Sequence, residues 1–396
     1  MAAPNHAGKE IDVVVYGASG YTGRLVAEYL DRRRKENPSI SFAMAGRSEE
    51  KLAAVRDEIG ASADTPLIVA DASDDASLKD MCAKAKVVLT TVGPYQLYGS
   101  DLVRICAETG TDYVDLCGEP TWMRSMIDAH EDAAKKSGAR IVFSCGFDSI
   151  PFDLGVLFLQ DAAKRDASAP ARDVRTVVRK MKGKFSGGTA ASLKATMAAA
   201  FKDPEIVNLL KNPFALAPGF EGPKQPSGSK PKLDEELGVW LAPFVMAPIN
   251  TKNVHRSNFL MGHAYGADFT YNEMLMTGPG EAGEKAAAAV ASDNSLMSDE
   301  APKPGEGPTK EERETGHYEA LIIGKTADGK ELRVSVSGDR DPGYGSTSKM
   351  IAESALALVN ECADAPGGIW TPASGLGAPL IDRLTRHAGL TFATEA

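Results

Sequence analysis

Seven residues, Gly17-Ala18-Ser19-Gly20-Tyr21-Thr22-Gly23, constrain this chain more than any other stretch. They follow an apolar, β-branched run, Ile11 to Tyr16. They precede an amphipathic segment, Arg24 to Arg34, and a second apolar run, Ile40 to Ala45. The spacing is G-x-x-G-x-x-G, one residue longer at the front than G-x-G-x-x-G, but the physical requirements are the same. Gly17 permits a tight turn off the strand, Gly20 lets the backbone approach a pyrophosphate, and Gly23 lets the helix pack close to the sheet. The helix start offers free N–H groups and partial positive charge to phosphates. Ser19, Tyr21 and Thr22 share this loop and are assigned with the glycines to a dinucleotide. A purely structural glycine turn is the competing reading, and the strand before and helix after disfavour it.

The end of the second apolar run selects the dinucleotide. A site for NAD usually carries an acid there to hold the ribose 2′-hydroxyl. This chain has Ala45-Gly46-Arg47-Ser48 instead. A guanidinium and a hydroxyl suit a 2′-phosphate through charge and bidentate hydrogen bonds, so Arg47 and Ser48 predict NADP(H). Glu49 and Glu50 fall in the first turn of the next helix, where acids are favoured in any case.

Strand and helix patterns continue to alternate. Leu67 to Ala70, Val87 to Thr91, Tyr113 to Leu116 and Ile141 to Phe143 read as strands; Glu49 to Ile59, Asp75 to Ala83, Ser100 to Glu108 and Trp122 to Lys136 read as helices. Buried parallel strands with intervening helices make an α/β, doubly wound Rossmann sheet over residues 1–150, with its ligand at the carboxyl ends of the strands. Those ends supply further candidates. Asp71 either accepts from an adenine amino group or caps a helix. Gly93 and Pro94 allow close backbone approach to the cofactor. Tyr95 and Tyr98 follow, and Tyr95 is the candidate proton donor; packing beside the cofactor is the alternative.

Residues 151–343 have a different texture and predict a second, α+β domain with a mixed or antiparallel sheet. Asp153 to Asp161 looks helical and Val174 to Met181 looks like a strand. Gly187-Gly188-Thr189 opens a helix and could cap it or hold an anion. Asn212 to Asp234 reads as a loop, and Tyr265, Ala267, Phe269 and Tyr271 alternate with strand period. His317 to Lys325 and Glu331 to Ser337 flank Ala327-Asp328-Gly329, a hairpin signal. Ser298 to Glu314 reads as an exposed excursion. Residues 344–396 predict helices, Ser346 to Val359 and Ala378 to His387, packing back toward the Rossmann domain.

Composition excludes several classes. A net charge of −10 argues against a nucleic-acid partner. No uncharged apolar run approaches ~18 residues, so no membrane span is expected. The five cysteines show no ligand spacing and read as reduced thiols of a cytoplasmic protein. The six histidines are scattered, so no metal site is expected. No G-x-S-x-G elbow is present. Cys145 ends a Rossmann strand, where a semialdehyde dehydrogenase places its nucleophile, but no histidine lies nearby in sequence to activate it. His255 and His263 read as surface or core residues.

The glycine turn, Ala45-Gly46-Arg47-Ser48, Gly93-Pro94-Tyr95, Cys145-Gly146-Phe147-Asp148-Ser149-Ile150-Pro151, Ser186-Gly187-Gly188-Thr189, Asp341-Pro342-Gly343-Tyr344 and Gly368-Ile369-Trp370-Thr371-Pro372 occur in this order. Together they resemble the saccharopine dehydrogenase-like oxidoreductases, and most of all their bacterial trans-acting enoyl reductase branch. The resemblance implies a nicotinamide cofactor, a second α/β domain, and reduction of a carbon–carbon double bond on a lipid or polyketide-type chain held by a partner synthase. A homodimer is compatible with it. Saccharopine-forming enzymes need basic residues for two carboxylates, and no such cluster is identifiable. An imine or semialdehyde oxidoreductase, and a non-catalytic NADP-binding protein that docks lipids or partners through Val239 to Ile249, remain the alternatives.

Overall fold

The computed structural model describes residues 6–183, 187–298 and 305–395. Ser186 of the glycine–threonine motif and part of the excursion after Ser298 lie outside them. In chain order the strands are β1 (Ile11–Tyr16), β2 (Phe42–Gly46), β3 (Leu67–Val69), β4 (Ala85–Thr90), β5 (Asp112–Val114), β6 (Arg140–Val142), β7 (Ala171–Lys182), β8 (Lys232–Asp234), β9 (Val239–Pro243), β10 (Thr270–Gly278), β11 (His317–Thr326), β12 (Glu331–Gly338), β13 (Gly368–Trp370) and β14 (Leu390–Glu395).

They form two seven-stranded sheets. The first runs β13-β6-β5-β4-β1-β2-β3 and every pair in it is parallel. Its central strands are apolar on both faces: Val13, Val14, Val15, Val87, Val88 and Leu89 are all fully buried. Such strands need helices above and below, which the intervening segments supply. Strand order reverses between β1 and β4, and this opens a crevice at their carboxyl ends.

The second sheet runs β14-β12-β11-β7-β10-β9-β8 and is mixed: β7 and β10 are parallel, and the other pairs are antiparallel. The hairpin β11–β12 turns at Gly329, whose φ is +87°. Helix Ile150–Ala167 lies across this sheet. A Cβ at Gly155 would stand 3.0 Å from side-chain atoms of Ile322 and Val336, so only glycine lets that helix settle so closely.

Two expectations need correction. The tail is not purely helical: β13 extends the first sheet beside β6, and β14 forms an edge of the second beside β12. The alternation Tyr265 to Tyr271 is not one strand. Gly266 and His263 have positive φ there, the aromatic side chains Tyr265 and Phe269 pack on each other within a turn, and β10 begins only at Thr270.

Helix Thr347–Asn360 packs against helix Tyr21–Glu36 through the buried Glu353. Its carboxylate accepts from the Tyr29 hydroxyl at 2.6 Å, from Arg33 Nε at 2.9 Å and from Arg383 Nε at 2.8 Å. No helix among the described residues is long and apolar enough to cross a membrane.

Candidate active site

The crevice between β1 and β4 continues into a cavity of about 360 Å³. One wall is the glycine turn with Gly93. The opposite wall is apolar and comes from helix Gly187–Lys202 and from the start of helix Ala247–Leu260 with the residues before it: Leu193, Val245, Met246 and Ile249.

The cofactor side is shaped by what a side chain would obstruct. Gly17 has φ +91°, and a Cβ there would lie 2.8 Å from Thr91 Oγ1. A Cβ at Gly23 would lie 2.1 Å from the Gly17 carbonyl oxygen, so the helix packs directly on the turn. Gly20 is different: its Cβ would meet only the Gly17 oxygen, at 3.3 Å, and its open face borders the cavity. At Gly93 the atoms nearest an added Cβ are those of the Tyr95 ring and amide, at 3.6–3.8 Å, which is ordinary contact. The first-turn amides of helix Tyr21–Glu36 have no carbonyl one turn before them. These features fit a pyrophosphate lying over Gly20 with a nicotinamide toward Gly93.

The remaining cofactor candidates fall at neighbouring strand ends. Ser19 is exposed beside Gly46. Arg47 is exposed and makes no hydrogen bond or ion pair with any described residue, which leaves its guanidinium available to a 2′-phosphate. Ser48 caps helix Glu49–Glu58, accepting from Lys51 N–H at 3.3 Å. Asp71 closes its own turn: Oδ1 accepts from the amide and the hydroxyl of Ser73, and the first of these is the main cause that lowers its pKa. The cap of the following helix is Asp74. Thr22 and Tyr21 line the cavity, while the Tyr21 hydroxyl donates to the Pro308 carbonyl and accepts from Arg313 at 2.6 Å.

Tyr95 follows the Gly93–Pro94 bond and its ring lines the cavity. Its hydroxyl points into the protein, donating to the Thr90 carbonyl at 3.3 Å and accepting from Leu116 N–H at 3.0 Å. Burial pushes the phenol well above its ordinary range. That geometry favours packing over proton donation. Tyr98 is exposed and does not line the cavity.

Sequence reasoning passed over two carboxyls here. Glu119 is buried and accepts from the amides of Tyr95 (2.9 Å) and Gln96 (2.8 Å) and from the Ser192 hydroxyl (2.7 Å). It ties the turn after β4 to the helix over the cavity. Asp148 lines the cavity and has no hydrogen bond or ion pair among the described residues. Burial pushes its pKa up to about 7. In sequence it stands within the Cys145–Pro151 motif without a role of its own. The one usable signal was its place just past a Rossmann strand.

Other candidates lie elsewhere. The Cys145 thiol is buried, is pushed well up by burial, and faces the Val142 carbonyl rather than the cavity. His255 packs between Phe214 and Phe269, and burial pushes its pKa down to about 3, so it is neutral. Gly188 does line the cavity. Among the described residues no group of three or more His, Cys, Asp or Glu could hold a metal.

Residues 13–142 match the family of saccharopine dehydrogenase NADP binding domains. A trans-acting enoyl reductase of Mycobacterium ulcerans is 37% identical, with 98% of each chain covered. One from Mycobacterium bovis is 38% identical at the same coverage. A Mycobacterium tuberculosis protein described as a candidate trans-acting enoyl reductase is 42% identical, again with 98% of each chain covered. The chain belongs to the trans-acting enoyl reductase family. It is an NADP-dependent oxidoreductase, and the glycine turn and Arg47 fall within the matched domain. The architecture of this family member is shared with saccharopine dehydrogenase (L-Glu forming) of Saccharomyces cerevisiae. That likeness has a TM-score of 0.55 at 13% identity and covers 97% of this chain and 99% of that one.

Proposed function

We propose that the protein reduces a conjugated carbon–carbon double bond in an acyl chain, using NADPH, while a partner synthase holds the chain as a thioester. The observation that carries this reading is the composition of the cavity. The glycine turn meets a wall of Leu193, Leu210, Val245, Met246, Ile249 and Leu296, and among the described residues lining it none is Lys, Arg or His. The carboxylates of an amino acid or dicarboxylate would find no cation among those residues, at a cost of several kcal/mol. An acyl chain would gain about 0.8 kcal/mol per buried methylene. The relatives' names agree with this chemistry.

The test is NADPH oxidation with a 2-enoyl thioester of pantetheine, with mass spectrometry of the product. A product two hydrogens heavier than the substrate supports the reading. Turnover only with an oxo acid plus an amine, or with an aldehyde, overturns it.

A further inference from the structure

Reduction of a conjugated thioester needs a proton as well as hydride. Bound NADPH would supply the hydride, to the carbon remote from the carbonyl. The π pair of the double bond moves toward the carbonyl and leaves an enolate. The adjacent carbon must then take a proton, forming its C–H bond with that pair. We propose that Asp148 supplies this proton from its carboxyl group, which is left as a carboxylate and is reprotonated by solvent when the product departs. The proposal rests on the enoyl reading above.

Elimination within the cavity leads to this residue. Among the described residues its acidic lining groups are Tyr21, Tyr95, Tyr344 and Asp148. The Tyr21 hydroxyl donates to the Pro308 carbonyl. Tyr95 donates to Thr90, and Tyr344 donates to the Glu306 carbonyl at 2.9 Å. Each phenol therefore has its proton committed to backbone. Among the described residues Asp148 has no such partner.

Placement supports the same assignment. Asp148 stands beyond β6, just before helix Ile150–Ala167, on a turn fixed from both sides. A Cβ at Gly146 would lie 2.8 Å from Leu116 Cδ2, and Phe147 N–H donates to Thr347 Oγ1 at 3.0 Å. The side chain thus opens onto the space shared by Gly93 and the apolar wall. The helix start behind it favours the anion by about 0.3–1 kcal/mol, and burial outweighs this. On the protein side Asp148 acts electrostatically on Glu273 of β10, as does Asp153 of the following helix. Glu273 is held by Asn250 Nδ2 and the Tyr271 hydroxyl, each at 2.9 Å, and burial pushes it up to about 8. Asp153 is likewise pushed up by burial, to about 7. No cation in this set would strip the proton from Asp148, and a bound acyl chain would dry the site further.

The experiment compares unaltered protein with Asp148→Asn and Asp148→Glu, using NADPH and a 2-enoyl pantetheine thioester. We expect Asp148→Asn to bind NADPH within about twofold of the unaltered protein in a fluorescence titration, yet to lose about 100-fold in kcat. Asp148→Glu recovers part of the loss. The kcat of the unaltered protein falls above about pH 7, as the acid loses its proton, and this limb is absent in Asp148→Asn. A readout without turnover is the infrared carbonyl band of a protonated carboxyl in the NADPH complex, present in unaltered protein and missing in Asp148→Asn. If Asp148→Asn keeps its kcat and its pH limb, the assignment is overturned and the enoyl reading stands. If unaltered protein reduces no enoyl thioester, both fall.

Discussion

The Tyr95 amide donates to Oε1 of Glu119 at 2.9 Å, and through this contact the turn after β4 is held to the turn after β5. The same carboxylate accepts from Gln96 N–H and from Ser192 on the helix that covers the cavity. Replacing Glu119 with Ala strands one buried amide and one half-buried amide, so we expect a stability loss of about 1–3 kcal/mol in urea denaturation. Because Ser192 also loses its anchor, the KM for the acyl substrate should rise more than kcat falls. Glu119→Gln, with one accepting oxygen, should lie between.

Arg47 offers a different kind of test, because it makes no hydrogen bond or ion pair with the described residues and acts on Asp71 only through its charge. Arg47→Ala should weaken NADPH binding by about 10–100-fold, the worth of a charge-assisted contact of 1.5–3 kcal/mol. NADH binding should stay the same and the melting temperature should not move. Parallel fluorescence titrations with the two nucleotides measure this directly. An equal loss for both would place the 2′-phosphate elsewhere.

The hydroxyl of Tyr95 satisfies the Leu116 amide. Tyr95→Phe leaves that N–H without its partner and should cost about 1–3 kcal/mol of stability. The effect on kcat should be far smaller than that of Asp148→Asn. A loss of turnover near 100-fold in Tyr95→Phe, with stability intact, would restore the tyrosine as proton donor.

Three buried carboxyls and the half-buried Asp148 give the protein a pH signature. Burial raises Asp115, Asp148 and Asp153 to about 7 and Glu273 to about 8. In the unfolded chain such groups titrate near 4, so between the two values the folded state binds more protons. Their contribution is fully present at low pH and is lost as pH rises through the folded values. His255 acts in the opposite direction only below its unfolded value of about 6.5. The melting temperature should therefore fall from pH 6.5 to pH 8, and Glu273→Gln should flatten that fall. A rise across this interval would show that the carboxyls are ionised in the folded protein.

How much of this was legible in the sequence depended on whether the cause was local. The glycine turn was legible because each glycine answers to a neighbour a few residues away: Gly23 packs on the carbonyl of Gly17 itself. The β11–β12 hairpin was legible for the same reason. By contrast, β13 has three residues, Gly368–Trp370, and is a strand only because β6 lies beside it. Glu119 and Asp148 were also hidden. The partners of Glu119 at residues 95, 96 and 192 are distant in sequence, and the cavity around Asp148 is built from both sheets' connecting segments. A single acid between phenylalanine and serine carries no periodicity to betray it.

The two late strands also bear on biosynthesis. While a ribosome is still making this protein, β6 has no outer neighbour until residue 370 has emerged, and β12 has none until residue 395. Both wait with open hydrogen-bonding edges, and Val334 and Val336 of β12 belong to the core. Such edges invite pairing with other nascent chains. A truncation that removes Leu390–Glu395 would make that transient hazard permanent, so shortened forms should precipitate during expression even though every residue around the cavity is still encoded.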